Sequence, residues 1–451
     1  MKTQHEAIFD ARQLGAGKTL ILGLQHMFAM FGATVLVPII TGLSISTTLL
    51  FAGLATLFMH FVTQNKVPVF LGSSFAFLGG YAAVKTAGAA AGMTDEVSLT
   101  YACVGVACAG LLYLVLSAVC KVCGSSNVMK YFPPVVTGPI IISIGLNLAP
   151  SAINNCSANW WIALVAIVVV IVCNIWGKGM IKIIPILLGV IASYVVAAVS
   201  GQVDFTLVKE ADLLGLPVVW ERTGFSVFTG GNTDWGMVMT SIITIVPIAF
   251  ATMMEHVGDI SAIGGTVGRN YIKDPGLHRT LIGDGIGTTI AALFGAPANT
   301  TYGENTGVLA LTKVYDPFVI KLAAIYAVIL SFCPKFAAII EVMPTATIGG
   351  VSIILYGMIS AIGVRNVVEN KTNFQESRNV IIAAIILGLA VGINFSDLGA
   401  IPIVIGSITI NMTGLAVASI VGIILNAVLP GKDYHFAEDP DETLASSLGK
   451  Y

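Results

Sequence analysis

From Thr19 onward the chain returns repeatedly to apolar runs of about 20 residues, the length a helix needs to cross the hydrocarbon of a bilayer. That recurrence leaves few folds open. In lipid each backbone N–H and C=O has to be satisfied inside the protein, so spanning segments are helices or strands of a closed barrel, and runs this long read as helices. Candidate spans fall near 19–41, 47–64, 68–85, 99–120, 133–150, 157–177 and 183–200. After a polar stretch at 201–235 they resume near 236–258, 280–296, 299–313, 316–333, 344–363, 378–398 and 411–430. That makes seven plus seven, of which the third and tenth are short and interrupted. Of 451 residues, 56% are hydrophobic and only 10% charged, with a mean hydropathy of +0.90. A soluble domain carries about 25% charged residues. The chain therefore reads as an all-α polytopic membrane protein.

Loop charges orient the spans. With the N-terminus inside, eighteen of the 22 Lys and Arg residues fall on inside segments, among them Lys2, Lys130, Arg365, Arg378, Lys432 and Lys450. Lys85, Lys209, Arg222 and Lys335 remain outside. This is the bias expected of cytoplasmic loops. Dropping one span would scramble it, so both termini are expected in the cytoplasm. The first 18 residues are polar and lack the apolar core of a cleavable signal peptide. A net charge of −2 gives no support for nucleic-acid binding. The seven cysteines lie mostly within spans, where Cys behaves as a small hydrophobe. Cys120-x-x-Cys123 has no His or second Cys pair nearby to complete a zinc site. Neither a metal nor a cofactor is expected, and no nucleophile–base pair points to an enzyme.

Among the spans, Pro297 to Lys313 (PANTTYGENTGVLALTK) is built differently. Asn299-Thr300-Thr301-Tyr302 is polar and β-prone, Gly303 breaks it, and Glu304-Asn305 open an apolar run that reads as a half-length helix. A carboxylate inside a hydrophobic segment is costly and marks a functional site. A broken helix frees backbone N–H groups to meet a substrate. A surface loop between spans is the alternative. Gly72-Ser73-Ser74-Phe75 in the third span echoes the tenth: small or polar residues, two hydroxyls and an aromatic ring, nearly half a chain away. Pro133 and Gly138 at the fifth span have counterparts in Pro344 and Gly349 at the twelfth, at one shared offset. Because seven is odd, the second half must run inverted to the first. Inverted repeats with matching broken segments are the pattern of transporters whose site lies at the midplane.

Few ionisable groups lie at membrane depth: His26, His60, Glu255, His256, Asp259, Asp284 and Glu304, with Glu341 nearer a span end. Glu255 and Asp259 are one turn apart on one helical face. Two carboxylates so close in a low dielectric do not both ionise easily, so one can carry a proton near neutral pH. The alternative for Asp259 is a solvated place at the cytoplasmic boundary. Glu304 begins a half-helix, where free N–H groups and the positive end of the dipole converge. A neutral ligand with alternating N–H and C=O groups suits such a place. Phe75 and Tyr302 could offer a ring face to a planar ligand, or pack as ordinary core. The hydroxyls of Ser73, Ser74, Thr300 and Thr301 would satisfy exposed backbone within the bilayer. Asp284, between two glycines, can instead be a structural hydrogen-bonding group, and His60 reads as a packed or interfacial histidine.

Glu304-Asn305-Thr306-Gly307-x4-Thr312-Lys313 resembles the signature of the nucleobase–ascorbate transporter family, also called nucleobase cation symporter family 2. Gln25-His26 in the first span matches that family's paired Gln-His. The runs FAMFGATVLVP (28–38), LGSSFAF (71–77), EHVG (255–258), DPGLHR (274–279) and NTTYGEN (299–305) are similar to those of its uracil-transporting bacterial members. The resemblance covers essentially the whole chain. It implies fourteen transmembrane segments in two inverted seven-span repeats, with short antiparallel strands in broken spans three and ten. A core domain would comprise 1–130 (spans 1–4) and 236–335 (spans 8–11). A gate domain would comprise 131–200 (spans 5–7) and 336–430 (spans 12–14), with a linker at 201–235 and a cytoplasmic tail at 431–451.

The activity implied is secondary active import of uracil with protons across the cytoplasmic (inner) membrane, by an elevator-like movement of core against gate. Carried over by position, Glu255 and Glu304 would hold the pyrimidine N–H groups and Phe75 would stack on the ring. Gly303 and Tyr302 would give backbone amides to a carbonyl, Ala33 would line the site, and Tyr356 would approach from the gate. Glu255, Asp259 and Glu304 would carry proton coupling, with Gln25, His26, Ser73, Ser74, Thr301 and Asn305 in support. The partners implied are a nucleobase, protons and membrane lipid. Homodimers are common in the family, though no stretch here marks an interface.

One departure concerns position 259, which is His in similar uracil-transporting members and is linked there to proton coupling. Asp259 can still relay a proton, over a different pH range. Uracil-type members carry Glu first in the signature, xanthine- or urate-type members usually Gln, and ascorbate members Pro. Glu304 thus favours uracil over a xanthine, purine or broad-range nucleobase symporter. Bicarbonate and sulfate exchangers share the implied architecture, but two site carboxylates would serve an anion poorly. Saturable uptake would separate a carrier from a channel.

Overall fold

The computed structural model describes residues 7–229, 231, 233–405 and 408–431. Lys2, Lys432, Lys450 and the tail from 432, all assigned to the cytoplasm above, lie outside the described residues. Among the described residues, seven helices are long and apolar enough to cross a membrane. They are Ala16–Thr41, Ile45–Val62, Asp95–Cys123, Pro134–Cys156, Trp235–Val267, Thr345–Glu369 and Ser377–Asn394. Shorter apolar helices run at Trp160–Trp176, Pro185–Val199 and Gly414–Val428, and Pro317–Ser331 turns by 89° into Pro334–Glu341. This is a mostly helical polytopic membrane protein. Local sequence sets the boundaries. Ser44, Thr94, Asn159, Asp234, Asp316 and Thr413 each cap a helix by accepting from an N–H of its first turn. Pro247, which has no N–H to give, falls where Trp235–Val267 passes through a 3-10 turn at Val246–Ile248.

The third and tenth candidate spans are each a strand followed by a half-helix. β1 (Leu71–Ser73) precedes Leu78–Ala90, and β2 (Asn299–Thr301) precedes Gly303–Thr312. The strands pair antiparallel, Leu71 with Thr301, Gly72 with Thr300 and Ser73 with Asn299. The ladder continues at both ends, with Ser74 N–H on the Ala298 carbonyl at 2.8 Å and Tyr302 N–H on the Phe70 carbonyl at 3.1 Å. A two-stranded ladder inside the protein leaves two outer edges unpaired, and threonines of the preceding helices close them. Leu71 N–H donates to Thr56 Oγ1 at 2.9 Å, and the same hydroxyl donates back to the Leu71 carbonyl at 3.2 Å. On the other edge Asn299 N–H donates to Thr288 Oγ1 at 3.1 Å, and that hydroxyl returns to the Asn299 carbonyl at 3.3 Å. Each hydroxyl does for one residue what a further strand would do.

This corrects the assignment of backbone satisfaction to Ser73, Ser74, Thr300 and Thr301. Of these four, among the described residues, Ser73 alone meets main chain, its hydroxyl donating to the Thr34 carbonyl at 2.9 Å. Strand side chains stand roughly perpendicular to the ladder and do not reach their own backbone edge. Gly72 is required by space, since a Cβ there would stand 2.4 Å from the Tyr302 ring.

A second antiparallel pairing joins the halves. Pro133 and Pro344 stand at the N-caps of Pro134–Cys156 and Thr345–Glu369. Along these two helices Gly138 faces Gly363, Gly145 faces Tyr356 and Gly349 faces Ala152, each within reach of the other helix's backbone. Small residues allow that approach where lipid supplies no hydrophobic drive between helices.

The C-terminal part differs from the sequence reading. Residues 399–410 read as a connection and 411–430 as the last span. Instead β3 (Ala400–Ile405) and β4 (Ile408–Thr413) form an antiparallel hairpin, and the last helix begins at Gly414. Ile401, Ile403, Val404, Ile405, Ile408 and Ile410 are β-branched and favour extended backbone. A hydropathy window registers their apolarity but not their branching. The reading of an all-α protein with short strands only in spans three and ten gives way to helices plus a second small sheet, β3–β4. The linker 201–235 carries short helices at Thr206–Glu210 and Ser226–Thr229.

Thr56→Val and Thr288→Val are each expected to destabilise the fold by about 1–3 kcal/mol, the cost of a buried polar group left without its partner. Both should lower the midpoint of thermal unfolding in detergent, and by similar amounts. Unchanged midpoints in both variants would mean that the ladder edges do not depend on these hydroxyls.

Candidate functional site

The half-helix Gly303–Thr312, the C-terminal part of Trp235–Val267, the first helix and Thr345–Glu369 enclose a cavity of about 700 Å³. Its wall includes Asp259, Gly303 and Glu304, and across from them Met358, Ile362 and Asn366 of Thr345–Glu369. Arg365 and Glu369 also line it; they pair at 2.6 Å and are more than half exposed, so the cavity reaches the surface there. Glu304 is the acidic residue in the first turn of Gly303–Thr312, whose N-terminus no side chain caps. The first N–H groups of a helix have no partners within it. A carboxylate, helix-start amides without partners in the helix itself and the positive end of the dipole therefore meet at one cavity wall.

Asp259 is not at a solvated boundary. It is 9% exposed, and its Oδ2 accepts from Thr301 Oγ1 at 2.5 Å, tying its helix to β2. Glu255 lies one turn before Asp259 on the same helix. Its Oε2 is buried and has no hydrogen-bond partner among the described residues. A buried carboxylate oxygen left unmatched by protein is a place for a ligand N–H or a proton.

The remaining expected residues fall into two groups. Ala33, Phe75, Tyr302 and Tyr356 belong to one buried apolar cluster and are not in the cavity wall. Phe75 meets the ring of Tyr356 edge-on, with centroids 5.7 Å apart. The Tyr302 hydroxyl donates to the Ser73 carbonyl at 3.0 Å, so that side chain clamps the two strands together and offers no free face. Asn305 Nδ2 donates to the His26 carbonyl at 3.0 Å and faces His26 Nδ1 at 3.2 Å, holding the half-helix to the first helix. Gln25, beside His26, instead reaches Met180. Ser74 Oγ is buried and has no partner among the described residues.

Asp284 is outside the cavity wall and meets His256 Nδ1 at 2.7 Å, both side chains fully buried. The Thr280 hydroxyl donates to the Leu277 carbonyl, so it accepts from His256 Nε2 at 3.0 Å. This network joins Leu277–Leu293 to Ala249–Val267. His60 is fully buried. No cluster of three or more His, Cys, Asp or Glu able to hold a metal occurs among the described residues.

Sequence reasoning missed Thr56 and Thr288, and the cavity wall formed by Met358, Ile362 and Asn366. The span at 344–363 ends too early: the helix continues to Glu369, and no Gly or Pro falls between Val364 and Glu369. That uninterrupted stretch was the available signal. Asn366 is fixed by donating to Thr137 Oγ1 at 3.0 Å.

A family model described as a permease family matches residues 17–399. The uracil permease of Bacillus caldolyticus is 40% identical over 426 residues, covering 92% of this chain and 93% of that protein. The uracil permease of Bacillus subtilis (strain 168) is 38% identical over 423 residues, covering 90% and 91%. Among solved structures, the transmembrane domain of the cyanobacterium bicarbonate transporter BicA matches with a TM-score of 0.61 at 14% identity, over 93% of this chain and 99% of that one. At that identity the likeness is one of fold. Sequence relatives and architecture agree on a multi-pass membrane transporter rather than an enzyme. The chain belongs to the nucleobase–ascorbate transporter family, with bacterial uracil permeases as its relatives.

Proposed function

We propose that the chain imports uracil together with protons across the cytoplasmic (inner) membrane, with both termini on the cytoplasmic side. The fourteen candidate segments would form two inverted seven-span repeats, divided between a core (1–130 and 236–335) and a gate (131–200 and 336–430) that move against each other like an elevator. The antiparallel pairing of β1 with β2, each edged by a threonine from the span before it, supports the inverted repeat. So does the antiparallel pair of glycine-bearing helices. A dimer fits the family pattern.

The observation that carries the substrate reading is Glu304 in the cavity wall at an uncapped half-helix, with Glu255, one turn before the wall residue Asp259, leaving one buried carboxylate oxygen unmatched, in a chain related to uracil permeases. Uracil is neutral, planar and edged alternately by N–H and C=O. Glu255 and Glu304 accept its N–H groups and the backbone amide of Gly303 donates to a carbonyl. The Tyr302 amide, assigned the same role from the sequence, is instead taken by the Phe70 carbonyl, and stacking on Phe75 requires the buried cluster behind the cavity wall to open. Ala33 and Tyr356 belong to the same cluster as Phe75, so the packing of one and the approach of the other from the gate depend on the same opening. Gln25, His26, Ser73, Ser74, Thr301 and Asn305 hold this frame. Proton coupling follows from the cost of moving charge through lipid, about 2.5–3.5 kcal/mol for a carboxylate at mid-depth on insertion scales. A core that carries Glu255, Asp259 and Glu304 moves more easily with a proton bound among them. Thr301 donates to one oxygen of Asp259, which leaves the other to take the proton.

The test is uptake of labelled uracil into proteoliposomes, with and without an inward proton gradient and against excess xanthine. Gradient-driven uptake blocked by unlabelled uracil and not by xanthine supports the reading. Block by xanthine would move the assignment to a purine or broad-range carrier. Glu304→Ala should weaken uracil binding by about 10- to 100-fold, the loss of one charged hydrogen bond, with an unaltered melting midpoint in the absence of uracil. Native affinity in that variant would remove Glu304 from the site. Glu255→Gln and Asp259→Asn should each abolish accumulation driven by a pH gradient. Asp259→Asn should retain uracil counterflow, because its partner is Thr301 rather than the substrate; full gradient-driven accumulation would exclude Asp259 from coupling.

A further inference from the structure

A second groove, of about 780 Å³, shares no lining residue with the cavity described above. It is lined by Leu112 and Leu116 of Asp95–Cys123, Phe250 of Ala249–Val267, Val135 of Pro134–Cys156 and Ile423 of Gly414–Val428. One end is basic, lined by Lys130 and Arg378. The Arg378 guanidinium is held in place by donating to the Asn426 carbonyl at 3.0 Å, Asn426 Oδ1 at 2.7 Å and Asn379 Oδ1 at 3.1 Å. A longer contact of 3.4 Å runs to the Leu429 carbonyl. Asn426 also donates to the Lys130 carbonyl at 2.9 Å, which keeps the second basic residue beside the first. Lys130 Nζ donates to Asn127 Oδ1 at 2.9 Å.

Every one of these acceptors is neutral. Lys66, Lys85, Arg222 and Arg365 each have a carboxylate partner, whereas neither Lys130 nor Arg378 forms an ion pair among the described residues. Two positive groups without a counter-ion, at the end of a mainly apolar trough in a membrane-embedded body, match the chemistry of an anionic lipid headgroup with its chain. We propose that this groove binds an anionic phospholipid, its phosphate between Lys130 and Arg378 and one acyl chain along Leu112, Leu116 and Phe250. The walls belong to both proposed bodies, Asp95–Cys123 and Ala249–Val267 on the core side and Pro134–Cys156 and Gly414–Val428 on the gate side. A lipid held there touches both sides of the joint that transport has to work.

The test presents the full-length protein in detergent with equimolar phosphatidylglycerol and phosphatidylcholine, and reads retained lipid by native mass spectrometry. Phosphatidylglycerol should be retained in preference. Each basic side chain near an anionic group contributes about fivefold, so Lys130→Gln should reduce that preference by about fivefold. Arg378 also ties Asn426 and Leu429, so its replacement can disturb folding. The second variant is therefore Leu116→Trp, which fills the trough and leaves both charges; it should lower phosphatidylglycerol retention while the melting midpoint holds. Equal retention of the two lipids by the unaltered protein, or phosphatidylglycerol retention unchanged in both variants, would overturn the proposal. The readout is bound lipid, so its failure is distinct from failure of the uracil-transport reading.

Discussion

A strand of three residues survives inside a membrane protein only if both of its edges are closed. The whole site depends on how this chain meets that demand. β1 and β2 satisfy each other on one side, and Thr56 and Thr288 satisfy the other two edges by returning both a donor and an acceptor to a single residue. With backbone closed in this way, two spans can be interrupted at depth without the penalty of orphaned amides. The interruption is what allows a helix to begin inside the protein, with first N–H groups that have no partner within the helix.

The stretch that follows β2 is anchored residue by residue to different neighbours. Thr301 binds Asp259, Tyr302 clamps β1 through the Ser73 carbonyl, and Asn305 binds the first helix at His26. Gly303 and Glu304, between these anchors, face the cavity. Binding geometry of this kind is more precise on a backbone fixed at several points than on a free loop. The anchors also run to three separate elements, so a displacement of the half-helix has to carry β1, the first helix and Ala249–Val267 with it. The site therefore behaves as part of one packed body. Met358, Ile362 and Asn366 face it from Thr345–Glu369, which packs instead on Pro134–Cys156.

Shared architecture and shared chemistry separate here. The fold resembles that of a bicarbonate transporter at 14% identity, yet the cavity wall carries Asp259 and Glu304 with Glu255 close by on the same helix as Asp259. Carboxyl groups at a cavity wall serve an anion poorly and suit a neutral molecule with N–H groups, so the fold alone does not name the cargo.

Much of this protein is written locally. Apolar run lengths mark nearly all the spanning helices, and Ser, Thr, Asn, Asp and Pro mark where many of them start. Polarity together with Gly303 marks the broken tenth segment, and the isolated carboxylates mark the region of the site, because a charge inside an apolar run is conspicuous in one dimension. Other features depend on approach between distant residues. Nothing around Thr56 or Thr288 distinguishes them from other membrane threonines; their role exists only because Leu71 and Asn299 come within hydrogen-bonding distance. The placement of Asp259 against Thr301, the pairing of Asp284 with His256, and the wall of the cavity formed by Thr345–Glu369 were likewise decided by packing. So was the β3–β4 hairpin, since hydropathy alone cannot tell an apolar strand from an apolar helix. Sequence sets which segments can enter a membrane and which residues are costly there; tertiary structure decides which of those residues meet.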